Sequence, residues 1–254
     1  MENNLTDKDI EVLNKWAEKY DIDELKIKDK EKIFNLKRLS IADYRNKIKY
    51  ITTEIFKLTN LEELSIYCVS LRKLQKGIGN LTNLKELSIS SEDLMELPKE
   101  IGNLTNLKEL FIRCKSLRKL PKEINNLINL KDIYINSYNL KELPKEIFNL
   151  IKIKKLYIDC KSLRKLPEDI KNLINLKRLK ISCYDLELTE EIGNIINLEA
   201  LYIRTDNLET LPSEIGNLTN LESLDIECEN LKELPKEIYN LINLKALEII
   251  CENL

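Results

Sequence analysis

Residues 107–129, LKELFIRCKSLRKLPKEINNLIN, recur along most of this chain. Aligned on the first leucine, the copies begin at Leu61, Leu84, Leu107, Leu130, Ile153, Leu176, Leu198, Leu221 and Leu244. The step is 23 residues each time except from Leu176 to Leu198, where it is 22. A fixed period in the twenties marks stacked structural units and has to be settled before any short motif is interpreted. It constrains the chain to a solenoid and points towards binding rather than catalysis.

Within one unit, Leu107, Leu110 and Ile112 hold positions 1, 4 and 6, which puts the latter two on one face of a short strand. Cys114 at position 8 continues the inward alternation. Leu117 and Leu120 turn the chain, and Pro121 ends any strand ladder because it lacks a backbone donor. Ile124 and Leu127 return three apart, the spacing of one α or 3₁₀ turn. A single unit cannot bury these residues against itself, whereas stacked neighbours can.

The spacing LxxLxLxx(N/C)xLxxLPxxIxxLxx resembles the leucine-rich repeat family over roughly residues 36–254. The phrase LPKEIGNLTN at residues 97–106 looks like the 23-residue class of bacterial and plant proteins. The resemblance implies a right-handed α/β solenoid, a horseshoe with a parallel concave sheet, short helical or 3₁₀ segments on the convex side and a helical N-terminal cap. It also implies a non-enzymatic module that binds a protein partner on the concave face. One column departs from the family. Position 9 holds no inward asparagine, running from Val69 through Tyr138 and Tyr184 to Glu252. Small residues stand at position 8 instead: Cys68, Ser91, Cys114, Ser137, Cys160, Cys183, Thr205, Cys228 and Cys251. We expect the ladder role to have moved to position 8.

Two segments are expected in the chain, a cap and transition over residues 1–35 and about nine repeats over 36–254, the first irregular and the last incomplete. Thr6 or Asp7 caps a helix beginning near Lys8, with Ile10, Leu13, Trp16, Ala17 and Tyr20 on one stripe that lids the first repeat. Leu25 and Ile27 are read as a first irregular strand. Leu36, Leu39 and Ile41 then open a repeat in which two extra residues within 42–47 form a loop. The asparagines at positions 20 and 23 are expected to bond nearby backbone in turns. In the unit starting at Leu176, the loss of the Leu-Pro pair and of one residue predicts a local kink or change in curvature. The final unit stops at Leu254 without a polar cap. Its open strand either pairs with a second copy or is protected by its shortness, and outward-facing Ile250 favours pairing.

Composition excludes several classes. Net charge is −2 with 33% charged residues, so no global field draws nucleic acid. MENNLTDKDI has no basic region followed by an apolar stretch, and no run is long enough to span a bilayer, so we expect a cytoplasmic protein without a membrane partner. The alternative is a secreted or injected bacterial host-interaction factor, and the Lys, Asn and Ile richness suits an AT-rich microbial genome. The six cysteines fall in one inward column and are expected to be free thiols, not disulfides. The chain contains no histidine, which removes Ser-His-Asp and Cys-His arrangements, and no zinc or other cofactor is expected. Cys183-Tyr184-Asp185 is similar to the nucleophile motif of bacterial ubiquitin-ligase effectors, but here Cys183 belongs to the inward ladder.

The candidate site lies on the outward strand positions. Position 5 reads Ser65, Ser88, Phe111, Tyr134, Tyr157, Lys180, Tyr202, Asp225 and Glu248, an aromatic stripe flanked by Tyr138 and Tyr184. Strand preference alone accounts for exposed tyrosines; an interface core accounts for them equally well, because aromatics anchor protein recognition. Lys155, Arg178 and Lys180, with Arg113 and Arg204 nearby, make a basic centre that turns acidic towards Asp225 and Glu229. Such asymmetry would orient a protein partner. Polyanion binding by the basic centre ranks last, because acidic residues flank it.

Overall fold

The inward column of each repeat becomes a strand followed by a tight turn. In the computed structural model, which describes residues 5–251, the chain packs as two units, Met1–Leu130 and Lys131–Leu254. The first unit carries β1 (Arg38–Asp43), β2 (Glu63–Cys68), β3 (Glu86–Ser91) and β4 (Glu109–Cys114), paired in parallel and in sequence order. The second carries β5 (Asp132–Ser137), β6 (Lys155–Cys160), β7 (Arg178–Ser182), β8 (Ala200–Thr205), β9 (Ser223–Cys228) and β10 (Ala246–Cys251), paired the same way. Register is strict, Leu facing Leu and Ile facing Ile on neighbouring strands, as in Leu87↔Leu110 and Ile89↔Ile112. A slip of one residue would turn every leucine outward. Ile112 and Ile135 are fully buried, so the inward and outward faces are those expected. Burying each Leu or Ile contributes roughly 1.5–3 kcal/mol.

The return segments are 3₁₀ turns. Ile124 N donates to Pro121 O, Leu127 N to Ile124 O and Leu130 N to Leu127 O, three successive bonds of 2.9–3.1 Å. With three residues per turn, Ile124 and Leu127 stack on one line and both reach the core. Neighbouring turns pack closely: a Cβ on Gly102 would lie 2.4 Å from the Glu123 carbonyl oxygen, so only glycine fits there.

Position 8 does carry a ladder. The buried Ser91 hydroxyl lies 2.8 Å from Leu71 O and 3.1 Å from Val69 O, and accepts from Asp93 N and Leu94 N at 3.1 and 3.2 Å. Thr205 also bridges to the preceding repeat, donating to Tyr184 O and accepting from Leu186 N, both of that repeat. Cysteines make the weaker version, Cys114 Sγ lying 3.8 Å from Ile89 O. None of the six cysteines is in a disulfide, and all but Cys251 are buried. The position-23 asparagines act differently from expectation. Their side chains reach a backbone carbonyl of the preceding repeat rather than their own turn: Asn106 Nδ2 donates to Thr82 O, Asn175 to Ile151 O and Asn197 to Ile174 O, at 2.8–2.9 Å. This second ladder pins the loops that carry Ile151, Ile174 and Ile196, all more than half exposed.

Helix α1 (Asp7–Tyr20) caps the first unit. Thr6 and Asp9 form a reciprocal capping box, and Asp9 also takes a 2.8 Å ion pair from Lys57 of the first repeat's 3₁₀ turn. Ile10, Leu13 and Ala17 are buried. Trp16 and Tyr20 are not fully covered; they lie at the stripe's margin with ring centroids 5.2 Å apart. The expected strand at Leu25 and Ile27 is absent. Leu25 ends a 3₁₀ turn, both carbonyls accept from Asn14 Nδ2, and a short helix α2 (Lys30–Phe34) follows, capped by Asp29. The two-residue insertion forms a loop around Asp43, whose carboxylate accepts from the backbone N–H groups of Arg45, Lys47 and Ile48.

At the 22-residue unit the deletion is absorbed locally. Strand β7 is one residue shorter than its neighbours, Cys183 N donates to Arg204 O, and Leu188 is only half-buried. At the other end of the second unit, β10 leaves Leu247 and Ile250 half-exposed; Glu252 and the last residues of the open final unit lie outside the described residues. Among the described residues, no helix is long and apolar enough to cross a membrane.

Candidate functional site

On the outward face of the second unit, register alone sets the neighbours. Tyr134, Tyr157, Lys180, Tyr202, Asp225 and Glu248 form one row across β5–β10. The row on one side of it includes Asp132, Lys155, Arg178 and Ala200; on the other side lie Asn136, Asp159, Ser182, Arg204, Glu227 and Ile250. Tyr134 and Tyr157 are directly opposed and half-buried, with strands about 4.8 Å apart.

Several charges on this face are paired. Lys155 Nζ lies 2.7 Å from Asp132 Oδ2, and just off the face Lys177 lies 2.9 Å from Glu199. Lys180 Nζ sits 4.0 Å above the Tyr202 ring. Tyr202 Oη donates to Glu227 Oε2 at 2.9 Å, and Arg204 Nε lies 3.4 Å from Glu227 Oε1. Burial, then the Glu227 hydrogen bond, pushes the Tyr202 phenol up to about 12. Lys180, Tyr202, Glu227 and Arg204 thus form one closed cluster. Arg178 is exposed. Asp225 is raised by burial and by its like-charged neighbours Glu248 and Glu227. Of the expected basic centre, Lys155 is ion-paired, Lys180 lies over a neutral ring and Arg178 is exposed, while the acidic end holds the crowded charge.

Tyr138 and Tyr184 sit in the turns beyond β5 and β7, 39% and 48% exposed. They do not join the stripe. Lys161, from the intervening repeat, places its ammonium 4.2 Å from the Tyr138 ring and 4.7 Å from the Tyr184 ring. Sequence reasoning missed Lys161 and Glu227 as members of these clusters. The signal was present in the Tyr-Lys-Tyr succession at position 9.

The first unit's face is different. Phe111, 38% exposed, is in register with Ser88 and Ser65, and Arg113 is exposed beside Ser90. Glu63, Glu86 and Glu109 stand side by side, and burial followed by the charges of Glu109 and Glu63 raises the Glu86 carboxyl. Among the described residues, no group of three or more His, Cys, Asp or Glu side chains is placed to hold a metal. Cys183 is buried, and burial pushes its thiol up to about 12.

A family model for the leucine-rich repeat region matches residues 98–210. A solved leucine-rich-repeat protein of Leptospira interrogans is 33% identical, with a TM-score of 0.76 over 86% of this chain. This chain spans about half, 55%, of that protein. The leucine-rich-repeat domain of the type III effector XopL is 22% identical, covering 96% of both chains with a TM-score of 0.73. The ectodomain of an Arabidopsis thaliana membrane receptor kinase, solved in complex with CASPARIAN STRIP INTEGRITY FACTOR 2, is 24% identical over 79% of this chain and 26% of that one, with a TM-score of 0.59. These last two share the fold. No curated protein sequence matches the chain.

Proposed function

Since the chain is a leucine-rich-repeat protein, we propose that it is a non-enzymatic recognition module that binds a protein partner on the outward strand face of its second unit. The observation that carries this reading is the opposed Tyr134–Tyr157 pair, half-exposed on rigid strands whose inward face is packed solid. Two adjacent tyrosines offer large apolar area with few rotatable bonds, the kind of anchor around which interface energy concentrates. Tyr202 extends the row but is held by Lys180 and Glu227, so it is a preorganised contact. Lys155, Arg178, Lys180 and Arg204 supply the rim, with Arg178 the cation most available to a partner's carboxylate. Phe111 and Arg113 hold the equivalent positions on the first unit's face, where they provide a separate contact.

Affinity capture with the whole chain tests this. A protein retained by the wild type and lost with Tyr134→Ala plus Tyr157→Ala supports the face; the same retained proteins with both baits overturn it.

A further inference from the structure

The turns that leave the strands of the first unit carry a second pattern, with twice the repeat's period. Leu71-Arg72-Lys73-Leu74 and Leu117-Arg118-Lys119-Leu120 are 46 residues apart, and Leu94-Met95-Glu96-Leu97 lies between them. All three segments line one groove, and backbone contacts join the second to the third. Arg118 N donates to Met95 O at 3.0 Å, and Glu96 bridges in parallel to Lys119. Met95 is uncharged where its neighbours carry arginine, and a groove of about 950 Å³ opens there. Leu74, Met95 and Pro98 give it an apolar floor, with Met95 50% exposed. The two Arg-Lys doublets form its walls.

The electrostatics of the groove are one-sided. Four cations face two anions, Asp93 and Glu96, so the lining has net positive charge. No side-chain ion pair within 4.0 Å engages Arg72, Lys73, Arg118 or Lys119 among the described residues, and all four are exposed. The doublets stand two strands apart, about 10 Å at about 4.8 Å per strand. An extended peptide in the polyproline II conformation rises about 3.1 Å per residue with three residues per turn, so residues three apart share a face about 9 Å apart. Its carboxylates would meet both doublets along one ridge, and an apolar side chain on the adjacent ridge would meet Met95. Asp93 and Glu96 disfavour a continuous polyanion.

We propose that this groove is a docking site for an extended acidic peptide segment, with carboxylates three residues apart on the two doublets and an apolar side chain between them on Met95. It is separate from the tyrosine face. Methionine adapts its shape to an incoming apolar group, and guanidinium groups hold carboxylates in forked pairs.

Fluorescence anisotropy with the whole chain tests the assignment. The probe is a labelled nonapeptide of three Glu-Leu-Pro units, with Lys-Leu-Pro and Glu-Ser-Pro nonapeptides and a short single-stranded oligothymidine as comparisons. The Glu-Leu-Pro peptide should bind, weaken with added salt, and outbind every comparison. Arg72→Glu with Arg118→Glu should weaken it by about tenfold or more, while Tyr134→Ala with Tyr157→Ala leaves it unchanged. Thermal unfolding reports whether the charge variant is folded, and Arg72→Gln with Arg118→Gln replaces it if it is not. No binding by the wild type, equal binding by the folded charge variant, or equal binding of the oligothymidine overturns the site. Equal binding of the Glu-Ser-Pro peptide overturns the role given to Met95.

Discussion

Replacing Ser91 by alanine tests whether position 8 holds neighbouring repeats together. Four backbone groups lose a contact: the carbonyls of Val69 and Leu71 and the N–H groups of Asp93 and Leu94; the Val69 carbonyl keeps Glu92 N–H. Asp93 is exposed, so water can serve its N–H; Leu71 and Leu94 are fully buried. An unsatisfied buried backbone group costs about 1–3 kcal/mol, so the two together predict a loss of about 2–6 kcal/mol. At about 2 °C per kcal/mol for a chain of this size, that lowers the melting temperature by roughly 4–12 °C. Ser91→Cys should fall between, because Cys68 and Cys114 hold the same column with longer sulfur contacts to carbonyls, at 3.7 and 3.8 Å. Urea unfolding gives the magnitude, and hydrogen exchange at Leu94 N–H gives the location. A loss of stability below about 0.5 kcal/mol, with Leu94 exchange unchanged, would refute the ladder, since even one orphaned buried group costs more.

Two further expectations concern ionisation. Burial alone would raise the Asp9 carboxyl, but hydrogen bonds from Lys57 and Thr6, with the Lys57 charge, outweigh it and hold the group at about 2 against an ordinary 3.8. A depressed carboxyl contributes stability that is present above the unfolded value and is lost as pH falls through the folded one. Stability should therefore decline between pH 4 and 2, and Asp9→Asn should flatten that part of the profile; an unchanged slope would contradict the pairing. Burial pushes the Cys68, Cys114, Cys160 and Cys183 thiols up to about 12. At pH 8 a thiol-specific disulfide reagent should modify these four only after denaturation, with Cys251 the first to react in the folded chain; rapid modification of the other four would contradict their burial.

What was legible in the sequence follows from how often a geometric solution is repeated. The inward column, the strands and the 3₁₀ turns recur in every unit, so periodicity alone placed Ile112 and Ile135 inside and Tyr134 and Tyr157 outside. The helix Lys30–Phe34 occurs once, in a stretch with no copy for comparison, and the sequence marks that stretch only as a transition. The asparagines were assigned to local turns because side-chain capping is usually local; here the partner is a carbonyl 24 residues away, brought alongside by stacking. Charge pairing was the least legible property. Lys155–Asp132 and Tyr202–Glu227 join residues 23 and 25 apart, and whether a long side chain reaches its neighbour depends on its rotamer as well as its column. The Arg-Lys doublets were visible as letters, but their meaning came from the uncharged Met95 between them.

The affinity of the purified captured partner for the Tyr134→Ala plus Tyr157→Ala chain, measured by titration calorimetry against the wild type, tests the central proposal most directly. Two hot-spot tyrosines at about 2 kcal/mol each predict a weakening of several hundredfold or more, with the unfolding midpoint little changed. Affinity within about threefold of wild type, in a folded variant, would place the binding surface elsewhere.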